Sequence, residues 1–160
     1  YSYNLTTPFK AVGSVAFLFG QNGMVSFDYE FTDYSAAKLD ASDYNFSNEN
    51  KLINKFYNDV ASNFRGGLEW KYQNFAFRAG AAYYSTPFKS QYTSDETDQH
   101  VISYTGGIGF REKRYYFDLG YGYSTRNEYF APYTLSNEPV AGSTIKRTDH
   151  RIIATIGFRF

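Results

Sequence analysis

The stretch that most constrains the fold is His150–Phe160, in which two kinds of residue alternate. Side chains of a β-strand point in turn to opposite faces, so alternate positions share a face. One face of this stretch is wholly apolar and consists of Ile152, Ala154, Ile156, Phe158 and Phe160. The other face combines two arginines and a threonine with Ile153 and Gly157. The pattern predicts a strand whose two faces meet different surroundings.

Composition narrows the class of protein in which such a strand occurs. The chain has 160 residues, 21% of them aromatic, yet its mean hydropathy is −0.52. No stretch approaches the roughly 18 consecutive apolar residues of a membrane helix. A transmembrane β-barrel fits better, because only alternate residues meet lipid and aromatic girdles lie at both interfaces. The net charge of zero gives no indication of nucleic-acid binding. The absence of cysteine excludes disulfides and thiolate chemistry.

The same alternation predicts six further strands, so the expected fold is all-β and antiparallel. The predicted strands are Phe9–Gly20, Met24–Tyr34, Phe64–Tyr72, Phe75–Tyr84, His100–Arg111, Tyr115–Glu128 and the final stretch. Asn22-Gly23 predicts a tight hairpin, because both residue types accept positive φ. Ser47–Ala61 has apolar residues at helical spacing and predicts a short amphipathic helix within a loop, with Ser47 or Asn48 as its N-cap.

The connections between these strands alternate in length. Short turns at 21–23, 73–74 and 111–114 separate long loops at about 35–62, 85–99 and 130–146. Outer-membrane barrels have tight periplasmic turns and long extracellular loops. A final Phe on the apolar face is also typical of their closing strands. We therefore expect a periplasmic aromatic girdle of Trp70, Tyr72, Phe75, Phe110, Tyr115, Phe158 and Phe160.

Charged residues fall on the faces opposite the apolar sets, where they would line a lumen. The candidates are Asp28, Glu30, Arg65, Glu69, Arg78, Asp118, Arg126 and Arg151. Two carboxylates on one strand can serve catalysis, but on a wet barrel wall they more often form ion pairs. Asp149-His150 leaves an outer-membrane hydrolase as an alternative. Two histidines and no cysteine make a zinc site improbable, and we expect neither a metal nor a cofactor.

Several stretches resemble the FadL-type outer-membrane transporters of long-chain fatty acids and other hydrophobic compounds. They are Thr7–Lys10 leading into Gly20–Gly23, Asp28–Ser35, Asn63–Glu69 and Arg78–Phe88. The resemblance covers most of the chain and is to the C-terminal half of that family. It implies a barrel of fourteen strands in the bacterial outer membrane, with seven strands contributed here and an N-terminal hatch plugging the lumen.

These expectations combine into one hypothesis and two alternatives. Residues 1–160 are expected to be the C-terminal half of one barrel domain that takes up hydrophobic small molecules without bond chemistry. The alternatives are a hydrolase of protease or lipase type and a structural or adhesion barrel. Expected partners are outer-membrane lipids, the hydrophobic substrate, and either the N-terminal half or a second chain that completes the ring. Seven hairpin-connected strands should not close alone, since even strand numbers are the rule.

Overall fold

The computed structural model describes residues 2–89, 99–130 and 143–159. Within these ranges one α-helix, α1, spans Ser47–Phe56, and a short 3-10 helix spans Tyr34–Ala36. The strands are β1 (Asn4–Thr6), β2 (Phe9–Phe19), β3 (Gly23–Asp33), β4 (Lys38–Asp40), β5 (Ala61–Tyr72), β6 (Phe75–Tyr84), β7 (Val101–Arg111), β8 (Tyr115–Phe130) and β9 (Ser143–Phe158).

Seven of these strands form one antiparallel sheet in chain order, β2-β3-β5-β6-β7-β8-β9. Each strand of this sheet pairs with the strand of the sheet that follows it in the chain, and short hairpins make three of these six pairings local. Short connections join β2 to β3, β5 to β6 and β7 to β8 at one end of the strands, which we call the turn end. The long connections lie at the other end of the strands, which we call the loop end. The predicted alternation of connection lengths is confirmed.

The predicted strands are confirmed, and three of them, β5, β8 and β9, have boundaries that differ by two residues or more. β5 begins at Ala61, ahead of the predicted Phe64. β8 and β9 are 16 residues each and pair as far as Phe130 with Ser143. Part of the loop predicted at 130–146 is therefore strand. The extra segment of β9 reads Ser-Thr-Ile-Lys-Arg-Thr-Asp, whose β-branched residues favour a strand but whose polar character hides the alternation.

Three local predictions are wrong in detail. The first hairpin takes its positive φ, 61°, at Gly20 and not at Asn22-Gly23. α1 has Phe46 at its N-cap in place of Ser47 or Asn48, and the Asn45 side chain instead accepts a 2.9 Å hydrogen bond from the Ser47 amide. α1 also ends at Phe56, short of the predicted Ala61, because Tyr57 turns extended and bridges to Phe88.

The sheet is open. Its edge strands are β2 and β9, and within the described ranges neither pairs with the other or with a further strand. Asn4–Thr6 pairs with Lys38–Asp40 in a separate two-stranded sheet at the loop end and does not close the ring. The prediction that these strands form no closed barrel by themselves is confirmed for this part of the chain. None of its helices is long and apolar enough to cross a membrane.

The β5–β6 turn gives the first testable prediction. Gln73 has a φ of 52°, a left-handed backbone that costs a residue with a Cβ about 1–2 kcal/mol. Gln73→Gly removes this strain but adds unfolded-chain entropy of roughly 0.4–1 kcal/mol. We expect a net gain of about 0.5–1 kcal/mol, measured as a higher urea midpoint in detergent micelles.

Asn74→Gly is the matched control at the neighbouring position. Asn74 has no positive φ, and its side-chain amide donates a 2.6 Å hydrogen bond to Glu112. This substitution should lower stability by about 1 kcal/mol, since it loses the bond and adds entropy. A gain from both glycines would show that strain at Gln73 is not the cause.

Candidate functional site: a charged face opposite an aromatic face

Residues paired across the ladder share a face, so the register sorts every strand position into one of two sets. We call the first set the aromatic face; among its members are Phe17, Phe27, Leu68, Trp70, Phe75, Phe77, Ile108, Leu119, Tyr121, Ile152, Ile156 and Phe158. We call the second set the charged face. It holds Lys10, Asp28, Glu30, Asn63, Arg65, Glu69, Lys71, Arg78, Arg111, Asp118, Arg126, Glu128, Arg147, Asp149 and Arg151.

Aromatic rings gather at the turn end of the aromatic face. The ring centroids of Phe75 and Phe110 are 5.1 Å apart, and those of Phe110 and Tyr115 are 6.1 Å apart. Trp70 lies across Gly23, where an added Cβ would approach the indole to 2.7 Å. Glycine at that position therefore makes room for the ring. The predicted girdle is brought together here, apart from Phe160, which lies outside the described residues.

A second group of rings lies toward the loop end of the same face. The Tyr121 hydroxyl and His150 Nδ1 are 2.8 Å apart, and the Tyr123 ring meets His150 edge-on at 5.4 Å. Tyr83 stacks on His100 at 5.6 Å. Beyond His150 the face continues with Thr148 and Lys146. The apolar part of the face is thus bounded at each end by aromatic rings.

On the charged face, Glu30 is the centre of the first ion-pair cluster. Its carboxylate is largely buried and receives a 3.0 Å hydrogen bond from the Asn63 amide. Lys10 Nζ lies 3.2 Å from Oε1 and Arg65 Nη1 lies 3.3 Å from Oε2. Arg65 Nε is also 3.6 Å from Asp28. Three strands, β2, β3 and β5, are therefore joined through one carboxylate.

Arg78 is the centre of the second cluster, which spans β5 to β8. Its Nε donates to Glu69 at 2.6 Å and its Nη1 donates to Asp118 at 3.0 Å. Each carboxylate has a further cation, Lys71 at 3.3 Å from Glu69 and Arg111 at 3.2 Å from Asp118. Two donors aimed at two carboxylates use the planar geometry of a guanidinium, which a lysine cannot reproduce. This cluster bridges strands that are not adjacent.

The third cluster lies on the long β8–β9 hairpin. Arg126 donates to Glu128 at 2.7 Å, while Arg147 reaches Glu128 at 3.8 Å and Asp149 at 3.4 Å. All three clusters pair cations with anions inside the sheet. The face therefore has many charges, but most of its carboxylates are neutralised locally.

All eight candidates from the sequence lie on the charged face. The structure brings together Asp28, Glu30 and Arg65 in one cluster, and Glu69, Arg78 and Asp118 in another. Arg126 belongs to the third cluster. Arg151 stands apart, because no described carboxylate contacts its guanidinium. Sequence reasoning missed Asn63 and Arg147, because both lay outside the predicted strands; alternation extended past the assumed boundaries would have found them. Arg111 was predicted at the junction of a strand and a turn and was not proposed as a site residue.

A shallow trough of about 480 Å³ lies on the charged face beside Arg151. Its lining includes Gly107, Gly120 and Gly122, together with Arg78 and Asp149. The three glycines add no side chain to this part of the charged face.

The positions of Asp149 and His150 bear on the hydrolase alternative. Asp149 and His150 are consecutive in β9, so they point to opposite faces of the sheet. Asp149 contacts Arg147 on the charged face, while His150 contacts Tyr121 on the aromatic face. The described ranges hold no grouping of three or more His, Cys, Asp or Glu residues suited to a metal ion.

No family model, curated protein or solved structure matches the chain.

The Arg78 cluster gives the second testable prediction. Arg78→Met keeps most of the side-chain length but removes both hydrogen bonds, leaving Glu69 and Asp118 with one cation each. Hydrogen bonds to charged groups contribute about 1.5–3 kcal/mol, and partial exposure of this site reduces that value. We expect a loss of about 1–2 kcal/mol, measured by urea unfolding in micelles.

Arg151→Met is the matched control, since it removes an arginine from the same face without breaking an ion pair within the described sheet. Its effect should stay within about 0.5 kcal/mol. Equal losses for the two variants would mean that the Arg78 bridge does not stabilise the sheet.

Proposed function

We propose that this sheet is part of the wall of a transmembrane β-barrel of the bacterial outer-membrane type, and that the completed barrel takes up small hydrophobic molecules. The single observation that carries the membrane part is the separation of the two faces. A sheet with one apolar aromatic face and one charged face fits between lipid and an aqueous lumen.

Side-chain exposure supports the assignment of the aromatic face to lipid. On the aromatic face Leu68 is 50% exposed and Phe77 is 46% exposed, although both belong to interior strands. Monomeric soluble proteins rarely expose contiguous apolar patches of more than a few hundred Å². Lipid contact removes this cost, since hydrocarbon chains are as apolar as the side chains.

Strand length and ring placement also fit a bilayer. β2, β3, β5, β6 and β7 contain 10 to 12 residues, close to the roughly 9–11 of a tilted transmembrane strand. Aromatic rings bound the apolar region at both ends, as the girdles of outer-membrane barrels do. By this reasoning the turn end is periplasmic and the loop end, including α1, is extracellular.

The transport part of the proposal is supported by two features. The stretches Thr7–Lys10, Asp28–Ser35, Asn63–Glu69 and Arg78–Phe88 resemble the FadL-type transporters of hydrophobic compounds. The charged face also contains the glycine-lined trough, which leaves space inside a wall that is otherwise lined with ion pairs. Neither feature requires bond chemistry, so the proposed activity is passage and not catalysis.

Two adjacent positions of β9 give the third testable prediction, on the facing of the sheet. Ile156 lies on the aromatic face and is 67% exposed, whereas Thr155 lies on the charged face opposite Asp118. Arginine facing lipid costs about 2–4 kcal/mol at the midplane and less near the interface. We expect Ile156→Arg to lower the stability of the completed barrel in phospholipid vesicles by about 1–3 kcal/mol.

Thr155→Arg is the control, because the new cation would lie near the Asp118 carboxylate and in the lumen. The completed barrel with this change should fold into vesicles as efficiently as the unaltered barrel. Equal tolerance of both arginines would contradict the facing of the sheet and with it the membrane wall.

Transport is tested by flux, which is the fourth prediction. Vesicles containing the completed barrel should take up a labelled long-chain fatty acid faster than protein-free vesicles, and an equally sized sugar should give a smaller increase. Hydrolysis of ester or peptide substrates by the same vesicles would favour the hydrolase alternative. Uptake equal to that of protein-free vesicles would contradict transport while leaving the wall intact.

A further inference from the structure

The aromatic face changes character where the β8–β9 hairpin approaches the loop end. On this face Thr125 pairs with Thr148, and Asn127 pairs with Lys146 in the next register row. We call these four residues the donor patch. Side chains directly opposite each other on neighbouring strands have Cβ atoms about 4.5–5.5 Å apart. The donor patch therefore gathers two hydroxyls, an amide and an ammonium group in one small area of the face.

No acid accompanies this cation on its own side of the sheet. Along the aromatic face of β5 to β9, the described strand positions include neither Asp nor Glu. On the opposite side of the same hairpin, Arg126 and Arg147 both contact Glu128. The outward surface of the hairpin therefore favours an anion, whereas its inward surface is locally neutral.

In the proposed membrane wall, strand geometry gives the height of the donor patch. A barrel strand rises about 3.3 Å per residue and is tilted by about 35–45°, so each residue advances roughly 2.5 Å along the membrane normal. Lys146 precedes Phe158, at the turn end, by twelve positions in β9. It therefore lies about 30 Å from Phe158 along the normal, just past an apolar band of about 25 Å. This is the level of lipid head groups.

An apolar depression of about 360 Å³ lies below the donor patch on the aromatic face. Its lining includes Gly106, Ile108, Leu119, Tyr121 and Ile152. An added Cβ at Gly106 would come no closer than 4.0 Å to any other atom, so glycine at this position leaves the depression open.

The depression and the donor patch are close enough for one molecule to reach both. Tyr121 pairs with Ile152 beside the depression, and the row of Tyr123 and His150 comes next. The donor patch begins in the row after that one. An apolar recess therefore continues, across a single row, into a cluster of hydrogen-bond donors at head-group height.

We propose that this hairpin binds a lipid of the leaflet at the loop end, with the lipid phosphate on the donor patch and an acyl chain in the depression. Hydrogen bonds from an ammonium group to phosphate are charge-assisted and stronger than neutral ones. Basic residues close to a membrane surface recognise anionic lipid head groups in the same way. The inference rests on the proposed membrane wall and names a partner for its outer surface.

Lipid A is the probe for the phosphate, because it carries phosphate groups as well as acyl chains. The completed barrel is purified in a nonionic detergent, and bound lipid is counted by native mass spectrometry. The comparison is with lipid A whose phosphates have been removed enzymatically. We expect the phosphorylated lipid to bind about tenfold more tightly. Equal binding of the two lipids would overturn the inference.

Lys146→Gln tests the position of the phosphate. It removes the only ammonium group of the donor patch and should abolish most of the preference for phosphorylated lipid A. Lys51→Gln is the matched control, since Lys51 is exposed on α1 at the same end of the sheet but lies off the aromatic face. An equal loss of preference in the two variants would show that general charge attraction is the cause and would overturn the site.

Gly106→Leu tests the position of the acyl chain. A leucine side chain should fill the depression and weaken binding of both lipids about fivefold, since the chain loses apolar contact there. Gly66→Leu is the matched control, because Gly66 lies on the aromatic face of β5 and an added Cβ would meet only the Ser26 carbonyl, at 3.9 Å. Binding that is unchanged by Gly106→Leu, or weakened equally by both leucines, would overturn the assignment of the depression.

The Ile156→Arg and Thr155→Arg pair separates failure of this inference from failure of the proposed function. Equal binding of the two lipids, together with loss of stability for Ile156→Arg alone, contradicts the lipid site and leaves the membrane wall intact. Equal tolerance of both arginines contradicts the wall itself, and the lipid site with it.

Discussion

The structure depends on the pairing of backbone amides and carbonyls between neighbouring strands. Because this pairing uses up the polar groups in the plane of the sheet, only the side chains decide what each face can meet. The alternation then places Phe, Tyr, Leu and Ile on one side and almost all of the strand charges on the other. A charged residue moved by one position would exchange faces, so register and alternation must agree in every strand.

The charged face is stable because its ions are paired across strands and not left to solvent. Glu30 joins β2, β3 and β5, and Arg78 joins β5, β6 and β8. Such bridges fix the relative positions of the strands, much as cross-strand pairs stabilise any sheet. Local neutrality also limits the field that a solute would meet at this face. Arg151 is the exception, and it lies on an edge strand.

Most of the sheet could be predicted from the sequence, because a period of two over ten or more residues is a strong signal. β6 and its neighbours followed this rule, and the lengths of the turns fixed their order. Residues 143–149 were missed because polar, β-branched residues occupy both faces there. The sequence could not decide which residue of the first turn has a positive φ, because Gly20, Asn22 and Gly23 are all residue types that accept one. The ion pairs could not be predicted, because they depend on which residues of neighbouring strands lie opposite each other. Alternation within a strand does not specify that register.

The small residues of the charged face explain how a wall with so many ions can still leave room. Gly107 faces Gly120, and both line the trough together with Gly122. Larger residues there would fill the space that Arg78 and Arg151 border. The Glu69–Arg78 ion pair lies in the same row of the register as Gly107 and Gly120, and Asp118 lies in the next row toward the turn end. Glycine at two positions of that row therefore leaves open space directly beside the ion pair that joins β5 and β6.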